Sequence, residues 1–191
     1  QTWIEEIKPI AGVKSVIPSQ SGLYPMSVAI PRQEGKENDL LMLELYENCP
    51  DFLSIYDFEL LDAKQTFNLL PRTPIPVVVN EAFIRYLVPA DEDPMGQPIS
   101  KYASDESING TIIGVVKDFK KYSFTNNIFP LRMLLHETPQ QNYTTLTIKF
   151  DEKYRAEVIN HIRELWEKKY PGTSFNYEDP HQILMSNNQE V

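Results

Sequence analysis

The chain has 191 residues, 41% of them hydrophobic and 24% charged, enough for one large domain or two small subdomains around a real core. Its 18 Lys and Arg against 27 Asp and Glu leave a net charge of −9, a field that repels phosphate backbones and anionic leaflets and so argues against nucleic-acid binding. An aromatic share of 11% excludes a disordered acidic tail, and the single cysteine, Cys49, excludes an intrachain disulfide, a redox pair and a multi-cysteine zinc site.

Trp3, Ile4, Ile7 and Ile10 fall on one face at helical spacing, Thr2 stands at the capping position and Gly12 where a left-handed stop is wanted, which predicts a short amphipathic helix. Val13, Val16 and Ile17 predict a strand, residues 22–25 a break, Val28 to Ile30 a second strand and residues 32–39 a charged loop. Leu41, Leu43 and Leu45 alternate with Met42, Glu44 and Tyr46, as a half-buried strand does, and a turn at Cys49, Pro50 and Asp51 leads into a short helix over residues 52–56.

Residues 76–79 read as a β-branched strand that ends at Asn80, a good N-cap, followed by two helical turns through Leu87. Asp93, Pro94 and Gly96 mark a turn over residues 90–97; residues 111–116 predict a strand running into Asp118 and Phe119, and residues 130–135 another. Leu146, Ile148 and Phe150 alternate as a strand, and Tyr154, Val158, Ile162, Leu165 and Trp166 form the stripe of a helix that Pro171 and Gly172 stop, ahead of a strand at Phe175 and Tyr177. The order helix, glycine stop, strand thus opens and closes the chain. This predicts an α+β fold in which the two ends form one discontinuous subdomain, residues 1–30 plus 141–191, around an inserted strand-rich subdomain, residues 31–140.

Little here suggests catalysis. His136, His161 and His181 stand in unrelated contexts, without the second ligand on one helix face that a metal site needs, and Asp91, Glu92 and Asp93 lack the alternate spacing of a calcium loop. No nucleophile elbow, phosphate loop or dinucleotide fingerprint occurs, and Cys49 has no basic neighbour in sequence to activate it. No cofactor is expected. Sequons at Asn109 and Asn142 are common by chance. Tyr122, Phe124 and Phe129 crowd a Lys- and Asn-rich stretch suited either to a protein contact or to folding back on the core.

The succession Val77, Val78, Val79, Asn80, Glu81, Ala82, Phe83, then Asp93, Pro94, Gly96, then Gly114, Val115, Val116, Lys117, Asp118, Phe119 and Pro130 resembles the MacB-like periplasmic core domain, the extracytoplasmic insertion of FtsX-type ABC transporter permeases. The closing run through Trp166, Tyr170, Pro171 and Gly172 resembles that family's last strand, helix and proline segment, while Glu178, Asp179, Pro180 and His181 stand where the family usually carries a leucine, an acidic residue and a tyrosine. The resemblance implies a porter-like subdomain built from both chain ends with an inserted Sabre-like subdomain, and structural roles for the motif residues. It also implies a non-catalytic periplasmic domain of an inner-membrane permease, excised here from a longer polypeptide. That permease would pair with a second copy and an ABC ATPase subunit and meet a periplasmic adaptor or a transported substrate, while the isolated domain stays monomeric. The competing expectations are an extracellular ligand-binding sensor, which needs a closed apolar pocket, and a hydrolase, which needs a nucleophile, base and orienting group in hydrogen-bond reach.

Overall fold

The computed structural model describes residues 2–19, 26–31, 39–63, 74–103, 109–119, 128–136 and 145–179. The expected break at 22–25, the charged loop at 32–39 except its last residue, the residues Tyr122 and Phe124, and Asn142 and His181 lie outside them. Among the described residues the strands form two sheets, one of two strands and one of six, and the chain is a mixed α+β fold.

The small sheet joins the two ends of the chain. α1 (Trp3–Ile7) begins with a capping box: Glu5 N donates to Thr2 Oγ1 at 3.4 Å and Thr2 N donates to Glu5 Oε2 at 3.0 Å, so two of the helix's orphan donors are satisfied. Gly12 reverses the chain at φ 87°, and β1 (Val13–Ser19) then pairs antiparallel with β8 (Thr145–Phe150), from Val13 opposite Phe150 to Ser19 opposite Thr145. A single 3₁₀ turn (Glu152–Tyr154) leads into α4 (Arg155–Lys169). The stripe of α4 lies on this sheet together with α1, and Ile7, Ile10, Val16 and Val158 are the buried centre of their contact. Lys169 secures the two helices from outside, paired with Glu6 at 2.8 Å and lying 4.6 Å from the Trp3 ring centre.

The large sheet has the order β2-β3-β7-β5-β6-β4, with β2 (Met26–Pro31), β3 (Leu40–Asn48), β4 (Leu60–Ala63), β5 (Ile75–Asn80), β6 (Gly110–Val116) and β7 (Leu131–Leu135). The β3–β7 and β5–β6 pairs are parallel and the other three antiparallel. Val77, Val78 and Val79 of β5 are all fully buried, the continuous apolar run that a central strand covered on both faces requires. One face, with Val78, Val116, Leu131 and Met133, is covered by Cys49 and by Phe52, Leu53 and Ile55 of α2 (Asp51–Ile55). The other, with Val77, Val79, Ile112 and Leu134, is covered by Phe83 of α3 (Glu81–Leu87) and by Met95, Ile99 and Ala103.

Three expectations fail. β3 is not half-buried: Leu43 lies in one core and Tyr46, expected on its open face, is 1% exposed in the other, because both faces of the large sheet are covered there. Phe175 and Tyr177 form no strand: residues 173–179 have no sheet partner among the described residues, and the two rings stack instead, Phe175 lying 6.2 Å from Trp166 and 5.8 Å from Tyr177. Trp166, expected within the buried stripe, is only partly buried. It touches Trp3 at 5.9 Å and Tyr170 at 4.8 Å, and its Nε1 donates to the Thr173 carbonyl at 3.2 Å. Full burial would make Trp166→Ala cost about 3–5 kcal/mol; with part of the indole already in water, about 2 kcal/mol is expected, seen as a fall of about 4–8 °C in thermal unfolding.

Candidate functional site

The densest polar constellation sits where β5 turns into α3. Asn80 is 1% exposed, and its single amide does three things. Its Oδ1 accepts from Phe83 N at 3.0 Å, the N-cap bond, and from Leu131 N at 2.8 Å, while its Nδ2 donates to the Phe129 carbonyl at 2.9 Å. The cap of α3 is therefore also the tie to the entry of β7. The carbonyl of the next residue, Pro130, which is buried, accepts from Glu44 N at 2.9 Å and continues the tie into β3.

Asp118, just past the end of β6, closes the constellation from the other side. Its Oδ1 accepts from Ala82 N at 2.9 Å and its Oδ2 from Arg85 Nη2 at 2.9 Å, and its own backbone N–H donates to Glu81 Oε2 at 2.9 Å. Both carboxylates thus stand at the first turn of α3, where the free N–H groups and the helix dipole favour negative charge. The Asp118 hydrogen bond also pushes the Arg85 guanidinium further toward its charged form. With their oxygens engaged by backbone donors and a guanidinium, Glu81 and Asp118 act as joinery; neither is aimed as a base at a neighbouring nucleophile.

The other motif residues are structural in different places. Asp93 Oδ1 accepts from Met95 N at 2.9 Å, buried Pro94 accepts from Gln97 N at 3.0 Å, and Gly96, at φ 84°, donates its N–H to the Ile112 carbonyl at 2.8 Å. That turn is therefore sewn to the first half of β6, away from the Asp118 end. Gly114 lies where a Cβ would come within 3.3 Å of the Asp62 carbonyl of β4, so a side chain there would crowd this close approach of two strands. Val115 packs at the margin of the cluster under α3, and Phe119 meets Phe58 edge-on at 4.5 Å. Trp166 and Pro171 belong to α4 and its exposed end. Of the three aromatics proposed for a partner contact, Phe129 is half-buried and its carbonyl is held by Asn80.

Among the described residues no three His, Cys, Asp or Glu side chains are grouped to hold a metal ion. Cys49 is buried, and burial first, then the nearby Asp51 charge, push its thiol above the ordinary range, away from the thiolate a nucleophile needs. Glu92 is occupied by the Tyr102 hydroxyl and Lys101. Arg85, which completes the constellation, was not visible in sequence; its partner lies 33 residues away.

No family model matches the sequence, and no curated protein matches it either. Solved structures do. The periplasmic region of MacB from Actinobacillus actinomycetemcomitans superposes with a TM-score of 0.58 at 15% identity, covering 98% of this chain and 82% of that one. The chain has the MacB-like periplasmic fold. The extracellular domain of the noncanonic ABC-type transporter YknZ from Gram-positive bacteria matches equally well, with a TM-score of 0.58 at 13% identity over 90% of this chain and 83% of that one. A domain described as that of a permease protein from Porphyromonas gingivalis gives 0.50 at 17% identity, covering 96% and 86%. In MacB-like terms the Asn80 constellation belongs to the six-stranded sheet, and Trp166 and Pro171 to the helix packed on the two-stranded one.

Proposed function

We propose that this chain is a non-catalytic extracytoplasmic domain of a bacterial ABC transporter permease, coupling ATP hydrolysis in the cytoplasm to work outside the membrane. The observation that carries the reading is the MacB-like fold, matched over 98% of the chain. The ordered polar groups of the described residues agree with it, since the best-built constellation holds strands and a helix together. Among the described residues no helix is long and apolar enough to cross a membrane, so membrane attachment would come from other parts of the polypeptide. The expected division into a porter-like subdomain, residues 1–30 with 141–191, and an inserted Sabre-like one, residues 31–140, fits the sheet pairing once β2, which pairs with β3, is counted with the second. The parent permease would act as a pair of copies with an ABC ATPase, and an adaptor or transported substrate would meet the domain outside the membrane.

The test is co-purification. The polypeptide containing this chain, tagged and extracted in detergent from membranes of its native host, is expected to bring down an ABC ATPase; recovery from the soluble fraction with no ATPase would overturn the reading. The isolated chain is expected to be monomeric in light scattering at micromolar concentration and to turn over neither ATP nor generic esters. A tight dimer, or turnover abolished by changing Cys49 or a histidine, would contradict it.

A further inference from the structure

β1 has a different core on each of its faces. Val16 is buried in the small cluster with α1 and α4, whereas Ile17, 2% exposed, is buried in the cluster of the six-stranded sheet beside Tyr46 and Phe52. Around Ile17 the turn after α2 reaches across to β8. The Tyr56 hydroxyl and Thr147 Oγ1 are 3.2 Å apart, and Lys149 Nζ donates to Asp57 Oδ1 at 2.6 Å and to the Ser54 carbonyl at 3.4 Å. Asp57 takes the left-handed conformation at φ 53°, the only described residue other than glycine to do so. That conformation costs of order 1–2 kcal/mol for most side chains and is best tolerated by Asn and Asp. On the large-sheet side the turn is anchored by Phe58 N donating to the Leu53 carbonyl at 2.9 Å and by the contact of Phe58 with Phe119.

From this geometry we infer that residues 54–58, with Ile17, form a latch that locks the two sheets into one mechanical body. A two-stranded sheet with helices on one face alone would be free to rock on the larger one. Here the same strand is a wall of both cores, so relative motion must expose Ile17 and break the Tyr56 and Lys149 contacts together. The exposed ion pair contributes little by itself; the buried isoleucine supplies the energy and the polar contacts fix the register. The use of such a body as a lever rests on the permease reading, but the latch does not, because it is tested on the isolated chain.

The protein carries its own probes. Both of its tryptophans, Trp3 and Trp166, lie with α1 and α4, and its one cysteine is buried in the large core. Urea unfolding followed by tryptophan fluorescence and by pulsed thiol labelling of Cys49 therefore reports each sheet separately. In the wild type the two transitions are expected to coincide. In Ile17→Ala/Tyr56→Phe they are expected to separate by about 0.5 M urea or more. In Val16→Ala, which trims the other face of the same strand, both are expected to fall together. Transitions that differ in the wild type, that coincide in all three proteins, or that separate in Val16→Ala as widely as in the latch variant would overturn the inference. The Val16→Ala protein also controls for loss of stability, since it removes a neighbouring buried side chain and leaves the latch intact.

Discussion

Asn80→Ala is expected to remove about 3–5 kcal/mol of stability, a large fraction of the roughly 5–15 kcal/mol a domain possesses. Loss of the cap on α3 accounts for about 1 kcal/mol. The rest comes from the Leu131 N–H and the Phe129 carbonyl, which lose their side-chain partner in a site that is 1% exposed at Asn80; a buried polar group left unsatisfied costs about 1–3 kcal/mol. Asn80→Ser separates the two contributions. Serine can cap α3 but is too short to reach both backbone groups of the β7 entry, so it should recover only the capping share. Chemical denaturation of the three proteins is the measurement. A serine variant as stable as the wild type would show that the residue is a helix cap and nothing more.

The second large effect is at Gly12. A Cβ there would lie 2.4 Å from Cδ2 and 2.5 Å from both Cβ and Cγ of Tyr154, and the backbone is at φ 87°. Gly12→Ala therefore combines left-handed strain of about 1–2 kcal/mol with overpacking of about 1–3 kcal/mol, for a fall of about 10 °C in the unfolding midpoint. Gly96 and Gly172 have similar dihedrals, φ 84° and 81°, with no atom within 4 Å of the added methyl, so alanine there should cost the strain alone. The clash involves the Cβ of Tyr154 itself, which means that Tyr154→Ala should not rescue Gly12→Ala. Equal losses at all three glycines would show that only the dihedral matters and that the contact between Gly12 and the start of α4 is compliant.

Local chemistry was legible in the sequence and long-range pairing was not. Thr2 and Asn80 declare themselves as caps because the bond each makes to its helix is three residues away. The alternation of β8 and the stripe of α4 likewise follow from the residues themselves, whereas the alternation of β3 hides that its second face is covered too, with Tyr46 1% exposed beside Phe52. The other duties of Asn80 depend on residues 49 and 51 positions later, and no spacing rule reports that distance. β4 escaped notice because Leu60, Leu61, Asp62 and Ala63 do not alternate and all four are exposed; an edge strand pairs through its backbone and needs no apolar face. Phe175 and Tyr177 misled in the opposite sense. Their spacing suits a strand, yet a strand needs an edge to join, and their rings are taken up by one another and by Trp166. The MacB-like fold was anticipated from short motifs whose order carried more information than any one of them.

The pairing of β1 with β8 also dictates when the molecule can be finished. Of the elements of this fold α1 and β1 are synthesised before the rest, but the strand that β1 needs begins only at Thr145, after the last strand of the large sheet ends at Leu135. Every partner within the six-stranded sheet is therefore available while β1 is still a lone strand with both edges open, a state that invites wrong pairings. Closing so long a loop costs little more than closing one of half the length, so the delay is one of timing and not of equilibrium. The half-built molecule would keep Ile17 against the large core and leave Val16, Ile7 and Ile10 to water until the C-terminal helix arrives. The C-terminal strand and helix thus act as the fastener of α1 and β1, and the two-stranded sheet is the last part of this fold that can close.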